Sequence, residues 1–342
     1  MKGKEKPMMN YEMFKGIVEN ELVNFLDESL KNRKVELHEI KQVNKKRDAV
    51  TLMDPSNSKS LSPTIYLDEM YELYTKCDNL PEVMGKIAES FNDGIKYGDR
   101  FEGLGLNRDD VKDKIVFQLI NADFNKELIE GVPHRSFKDL EVIYRLVVEK
   151  NTEAVRSAII TNELAGSLGL SEQELFDLAV DNTKRINPVK IVSMHDMMKS
   201  IMSQQDFPEE AIDVVMDDMV PENQMYIISN ESGMNGAVSM LYEDEMHDLA
   251  EKVGDSLYIL PSSVHEVLAV PASINDNAEM LADMVYEINM NVLSLEDRLS
   301  NQVYFYNKDL RTLDIATDSP HKSIGGDVSE KVQSYITKPK KI

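Results

Sequence analysis

The segment whose residue types could best do chemistry is a serine-rich turn followed by a histidine, residues 261–266, which read PSSVHE. A tight turn brings a hydroxyl close to an imidazole, as a serine nucleophile and a histidine base require. In a strand, however, His265 and Glu266 point to opposite faces, so one turn cannot supply nucleophile, base and orienting carboxylate together. Two interpretations stay open: a hydrolase or transferase that uses Ser263, His265 and Glu266, or a hairpin in which His265 is structural.

Methionines recur at helical spacing earlier in the chain. Met194, Met198 and Met202 share one predicted helical face with Met197 and Ile201. Thioethers suit copper(I), and a histidine and an aspartate lie in the same stretch, so a soft-metal site is one interpretation. Methionine rows more often fill a core or a groove for a partner helix. We therefore expect apolar surroundings for this face, and partner binding through Met194, Met198 and Met202.

The common local fingerprints of catalysis and cofactor binding do not occur in this sequence. It has no phosphate-binding glycine loop, no dinucleotide-type glycine triplet and no nucleophile elbow. The pairs His38-Glu39 and His265-Glu266 lack the second histidine that would complete a helical zinc site. With one cysteine, Cys77, cysteine-rich zinc sites are excluded as well. We expect no metal and no cofactor.

Acidic residues are concentrated in one part of the chain. Residues 200–297 contain 21 Asp and Glu against one basic residue, Lys252, which gives −20, while all other residues contain 40 acidic and 37 basic groups, which gives −3. Such a segment repels phosphate backbones, so direct nucleic-acid binding is disfavoured and a basic protein partner is favoured. The alternative is an ordinary solvated acidic surface. The candidate partner-binding carboxylates are Asp213, Asp217, Asp218, Glu243 and Asp244.

The cellular setting follows from what the sequence lacks. No run of about 18 apolar residues occurs, so no membrane segment is expected. The N-terminal residues have no apolar stretch behind their lysines, as a signal peptide would require. With a single cysteine as well, these features predict a protein of the reducing cytoplasm.

Hydrophobic periodicity predicts an α+β protein of mixed helices and short antiparallel strand pairs in two or three packed lobes. Ser171 and Glu174 form a capping box at a helix start, and Asp206 with Glu209 is a second one. The predicted lobes are a helix and hairpin lobe over 1–105, a central α+β lobe over 106–199 and an acidic α+β lobe over 200–318, with a loosely ordered tail over 319–342.

The predicted helices cover residues 10–29, 65–74, 80–97, 242–253 and 276–289, the last with Leu281, Met284, Val285 and Ile288 on one face. The predicted hairpins join residues 35–40 to 49–53 across a basic turn at 44–47, 140–148 to 157–160, 257–260 to 264–270, and 303–306 to 312–315.

Several stretches together resemble a known family, and they lie at residues 62–67, 114–121, 160–164, 225–242 and 260–268. The sequence resembles an uncharacterised family, a domain of unknown function that is widespread in gut Firmicutes and frequent near mobile elements. The predicted helix-turn-helix at 162–182 and the strand pair at 257–270 resemble, more distantly, the YtpQ family. The resemblance implies one continuous family unit over about residues 10 to 315 in a cytoplasmic bacterial setting, and it implies no catalytic residue.

Together these features favour a non-catalytic binding or regulatory protein whose acidic lobe and methionine-bearing helices contact a basic protein partner. A sharper hypothesis is an inhibitor that mimics nucleic-acid charge and occupies the basic channel of a defence nuclease. The alternative is a hydrolase or transferase that uses His265 and Glu266. A cleft that joins His265 to carboxylates of other segments would favour the enzyme.

Overall fold

The computed structural model describes residues 9–55, 63–102, 108–150, 155–205, 207, 225–274, 277–317 and 324–325. The chain forms two compact units, residues 1–107 and 108–342. Helices and antiparallel sheets occur together in both, so the α+β class predicted from the sequence is confirmed.

The first unit packs three helices against a small sheet. Its elements are α1 (Tyr11–Glu21), β1 (Lys34–Gln42), β2 (Lys45–Met53), β3 (Ile65–Tyr66), α2 (Leu67–Cys77) and α3 (Leu80–Glu102). The strands pair in the order β1-β2-β3, all antiparallel. Phe14 and Val18 of α1, Leu52 of β2 and Phe91 of α3 are buried together in its core. The apolar face of α1 is therefore covered, as its helical spacing predicts.

The first hairpin turns earlier than predicted. Val43 and Asn44 form a two-residue turn, with Asn44 at a φ of +60°, a left-handed conformation that asparagine tolerates. The predicted basic turn at 44–47 is thus wrong, because Arg47 lies within β2 and is buried. Arg47 Nε donates to Asp68 Oδ2 at 2.8 Å. Partial burial disfavours the charged form of Asp68, but the Arg47 hydrogen bonds outweigh it and lower the pKa of Asp68.

The second unit begins with a four-stranded antiparallel sheet. Its elements are α4 (Arg108–Val111), β4 (Ile115–Asn121), α5 (Lys126–Ile129), β5 (His134–Phe137), β6 (Leu140–Lys150), β7 (Val155–Ile159), α6 (Asn162–Leu168) and α7 (Glu172–Ile186). Strand β6 pairs with β4, β5 and β7. The capping box predicted at Ser171 and Glu174 is present and begins α7.

A six-stranded antiparallel sheet forms the remainder of this unit. Its elements are β8 (Val189–Ser193), α8 (Met194–Gln204), β9 (Tyr226–Asn230), α9 (Glu243–Val253), β10 (Leu257–Leu260), β11 (Val267–Pro271), α10 (Ala278–Asn291), β12 (Tyr304–Asn307) and β13 (Thr312–Ile315). The strand order is β13-β12-β10-β11-β9-β8. Because β8 pairs with β9, the predicted central and acidic lobes share one sheet.

One apolar core joins the two sheets of the second unit. Phe117 of β4 and Tyr144 of β6 are buried with Leu175 of α7, Ile228 of β9 and Ile259 of β10. Because buried apolar area stabilises the folded state by roughly 25 cal/mol per Å², this shared core holds the two sheets together as one unit.

Three further predictions concern residues of the second unit. Ile324, which lies in the predicted loose tail, is buried, and its carbonyl accepts a hydrogen bond of 2.8 Å from Arg298 Nη1. In α10, Leu281 and Val285 are buried but Met284 and Ile288 are exposed, so the predicted single face divides in two. The helix predicted to start at Asp206 and Glu209 lies outside the described residues.

Candidate functional site

His265 lies in the loop before β11 rather than in a strand, which corrects its predicted place. Its Nδ1 accepts a hydrogen bond of 3.2 Å from the Asn235 backbone amide, and its Nε2 lies 3.1 Å from Asp297 Oδ1. Because an amide can only donate, Nδ1 must carry the lone pair, and Nε2 must therefore carry the proton that Asp297 accepts. Both ring nitrogens are engaged in this arrangement.

The side chains of Ser263, His265 and Glu266 form no hydrogen bonds with one another. Ser263 is buried, and its Oγ accepts a 3.0 Å hydrogen bond from the His265 backbone amide rather than from the ring. Glu266 is exposed and forms no hydrogen bond within the described part of the chain. The carboxylate that contacts the ring is Asp297, which lies 32 residues away in sequence, so no local pattern could have identified it.

The loop that His265 holds lines a cavity of about 300 Å³. Asn230 and Asn235 form one side of it, and Arg145 and Ser157 form another. The Arg145 guanidinium donates to Ser157 Oγ at 2.8 Å and to Gln118 Oε1 at 3.2 Å. The arginine is therefore already engaged by the protein, and His265 is linked to the cavity through Asn235, whose backbone amide donates to the His265 ring.

We expect replacement of His265 with alanine to lower the free energy of unfolding by about 1 to 2 kcal/mol, because it removes the acceptor of the Asn235 amide and the donor to Asp297. Chemical denaturation followed by circular dichroism measures the change. Glu266→Gln is the matched control, since its exposed side chain should leave stability unaltered. Loss of a measured activity in the alanine variant with an unchanged denaturation curve would contradict the structural role.

A second cleft of about 470 Å³ lies beside the start of α7. His134 and Glu172 line it, and His134 Nδ1 lies 3.0 Å from the Val132 carbonyl, so this nitrogen is the donor. Glu172 accepts hydrogen bonds from Arg135 and from the Tyr144 hydroxyl. Partial burial disfavours the charged form of Glu172, but these hydrogen bonds outweigh it and lower its pKa. Glu172 is therefore an ionised, structurally engaged carboxylate.

No group of three or more His, Cys, Asp or Glu side chains within the described ranges is arranged to hold a metal ion. Among the same residues, no helix is both long and apolar enough to cross a membrane.

The methionine face of α8 is less covered than predicted. None of its residues is buried: Met194, Met198 and Met202 are partly exposed, and Met197 and Ile201 are more so. Within the part of the chain that the structure describes, no side chain of this face is fully enclosed, and both predicted surroundings, the core and a partner, stay predictions.

The candidate carboxylates at the start of α9 are engaged within the second unit. Arg311 Nε contacts Glu243 Oε1, and Arg311 Nη2 lies 3.0 Å from Asp244 Oδ1. The side chains remain exposed, that of Asp244 by 82%. Asp213, Asp217 and Asp218 lie outside the described residues.

Cations from other parts of the unit neutralise further charges of α9. Lys184 of α7 lies 3.0 Å from Glu245, and Lys308, after β12, lies 3.3 Å from Glu251. Residues 200–297 contain one basic residue, Lys252, so the segment lacks the cations to neutralise itself. The cations come instead from outside that segment, so its field is weaker near α9 than the count of −20 implies.

The fold and this geometry define an α+β protein in which the predicted catalytic residues are not brought together. The chain belongs to DUF5688, a family of unknown function, whose family model matches residues 11–308. The match includes parts of both compact units, so the family unit is not confined to either. No curated protein and no solved structure is significantly similar to the chain.

Proposed function

We propose that this protein is a non-catalytic binding or regulatory protein whose acidic segment, residues 200–297, contacts a basic protein partner. The supporting observation is the continued exposure of carboxylates on α9 and α10 even where cations of the same unit reach them. Carboxylates that remain exposed to water keep their hydration, so they cost the fold little free energy. Their electrostatic field attracts a cationic surface. The partly exposed methionine face of α8 adds an adaptable apolar contact.

The alternative function is a hydrolase or transferase at His265. This alternative gains an orienting carboxylate from Asp297, but the Asn235 amide occupies the nitrogen that would have to act as the base. The Ser263 hydroxyl also contacts the His265 backbone instead of its ring. A catalytic role would require His265 and Ser263 to give up these contacts, whereas the binding function requires no such change.

The finer hypothesis is an inhibitor that mimics the charge of nucleic acid in the basic channel of a defence nuclease. The acidic segment and the resemblance to a family frequent near mobile elements support it, as does the cytoplasmic setting expected from the sequence. Like charges would also keep the segment away from DNA and RNA.

Salt dependence tests the proposal once the partner has been isolated by affinity capture from the native cell and identified by mass spectrometry. We expect the association rate to fall several-fold as salt rises, because a Debye length of about 8 Å screens steering at physiological ionic strength. A variant with Asp213, Asp217, Asp218, Glu243 and Asp244 changed to Asn or Gln should associate slowly even at low salt.

The matched control is Asp181→Asn, an exposed carboxylate of α7 outside the acidic segment. It should associate like the wild type. An association rate indifferent to salt and to the five changes, or tight binding of bare DNA or RNA through the same segment, would refute the proposed function.

A further inference from the structure

Helix α10 carries an exposed row of apolar side chains. Met280 is 50% exposed, Met284 48%, Ile288 37%, and Val292, at the end of the helix, 74%. Residues four apart lie above one another on a helix, and the rise of 1.5 Å per residue makes this apolar row about 18 Å long. Scattered single apolar residues are normal on protein surfaces, but four in one row are a continuous patch.

An acidic row runs beside the apolar row. Glu279, Asp283 and Glu287 are exposed, and each precedes one member of the apolar row in the sequence. Asp283 and Glu287 have no lysine, arginine or histidine within ion-pair distance among the described residues. Residues 277–297 contain five acidic residues and no basic one. Asp283 and Glu287 therefore differ from Glu243 and Asp244 of α9, which Arg311 contacts.

The opposite face fixes the helix to the second unit. Leu281 and Val285 are buried with Leu260 and Val303. Asn289 is fully buried, and its Nδ2 donates to the Ser300 carbonyl at 3.0 Å. Since the inner face is held by apolar contacts and by this hydrogen bond, the two exposed rows keep a defined direction.

We propose that the apolar and acidic rows of α10 bind a basic amphipathic helix of the protein partner. An apolar row of helical length fits the i, i+4 row of another helix, as in helix-in-groove recognition. Asp283 and Glu287 of the acidic row, which lack a cation within ion-pair distance among the described residues, select a helix whose apolar row is flanked by lysine or arginine. This inference rests on the proposed function and narrows it to one surface and one type of partner segment.

The test uses the full chain and a synthetic helical peptide made of leucine and lysine, with leucines at i, i+3 and i+4 spacing. A peptide of the same composition in scrambled order is the second probe. Fluorescence anisotropy should show tighter binding of the helical peptide. Changing Met284 and Ile288 together to Gln should weaken its binding roughly tenfold at low and high salt, because apolar anchors near the centre carry most of the affinity.

Changing Asp283 to Asn and Glu287 to Gln should weaken binding roughly tenfold at low salt, and the difference from wild type should shrink as salt rises. Leu310→Gln and Asp181→Asn are the matched controls, because both alter exposed side chains that lie outside α10. Both controls should bind like the wild type.

Equal binding of the two peptides, or full binding by both α10 variants, would overturn the inference. Weakening by Met197→Gln of α8 without any effect of the α10 changes would overturn it too, as would a dimer of the chain that the α10 changes dissociate. The proposed function fails separately, since it requires salt-dependent association of the isolated partner that the carboxylate changes slow. Salt-dependent association of the partner can be observed even when the helical peptide does not bind α10.

Discussion

Replacing Gly236 with alanine is expected to destabilise the second unit by about 3 kcal/mol or more. A Cβ at this position would lie 2.3 Å from Ser229 Oγ, 2.5 Å from the His265 carbonyl oxygen and 2.8 Å from the Asn230 amide nitrogen. Two of these atoms belong to the backbone. Hence no side-chain rotation can relieve the contact, and the loop has to move.

The displaced loop would affect several interactions at once. Ser229 Oγ donates to the His265 carbonyl at 2.7 Å, and the amide of Asn235 donates to the His265 ring. A shift of Gly236 would therefore separate β9 from the loop before β11. Hydrogen exchange followed by mass spectrometry should show faster exchange in β9 and β11. Chemical denaturation should measure the loss of stability.

The matched control is Gly166→Ala in α6 of the same unit. No atom lies within 4 Å of a Cβ at Gly166, and alanine is the better helix former by up to about 1 kcal/mol. This variant should be as stable as the wild type or more stable. If Gly236→Ala were as stable as Gly166→Ala, the close approach of Gly236 to β9 and to the loop before β11 would not be a constraint on the fold.

Raising the pH from 9 to 11 is expected to remove about 4 kcal/mol of stability through three buried tyrosines of the second unit. Burial raises the pKa of Tyr144, and its hydrogen bond to Glu172 raises it further. Burial likewise raises the pKa of Tyr242 and, with the nearby Asp139 charge, that of Tyr304. All three hydroxyls should stay protonated in the folded protein at pH 11.

The sign follows from the unfolded chain, in which tyrosine ionises near pH 10. Below that pH both states are protonated, and the stabilising contribution is complete. Above it the unfolded state loses protons that the folded state keeps, so stability falls until the folded pKa is reached. At pH 11 each tyrosine costs about 1.4 kcal/mol, and three cost about 4 kcal/mol, a large share of a typical domain's stability.

Tyr242→Phe separates this effect from the loss of a hydrogen bond. The buried Tyr242 hydroxyl forms no hydrogen bond within the described residues, so its removal should leave stability at pH 7 equal or higher. The loss between pH 9 and pH 11 should shrink by about 1.4 kcal/mol. Denaturant titrations at each pH measure both values. An unchanged loss in this variant would show that Tyr242 ionises in the folded state.

Local patterns were enough to predict the fold class and most element positions. The capping box at Ser171 and Glu174 and the hairpin that ends in β13 depend on residues close together in sequence, so their signals lie within short windows. Membership of a family of unknown function was also accessible from the sequence, since the predicted family unit, about residues 10 to 315, nearly coincides with the matched residues 11–308.

The candidate site depended on tertiary contacts instead. Asp297 reaches His265 across 32 residues, and Lys184 reaches Glu245 across 61. The periodicity of α10 indicated an apolar stripe without showing that Leu281 would be buried and Met284 exposed. Periodicity determines which side chains share a face of one helix or strand. Burial and charge pairing depend on which other element packs against that face. That packing is decided only when the whole unit folds.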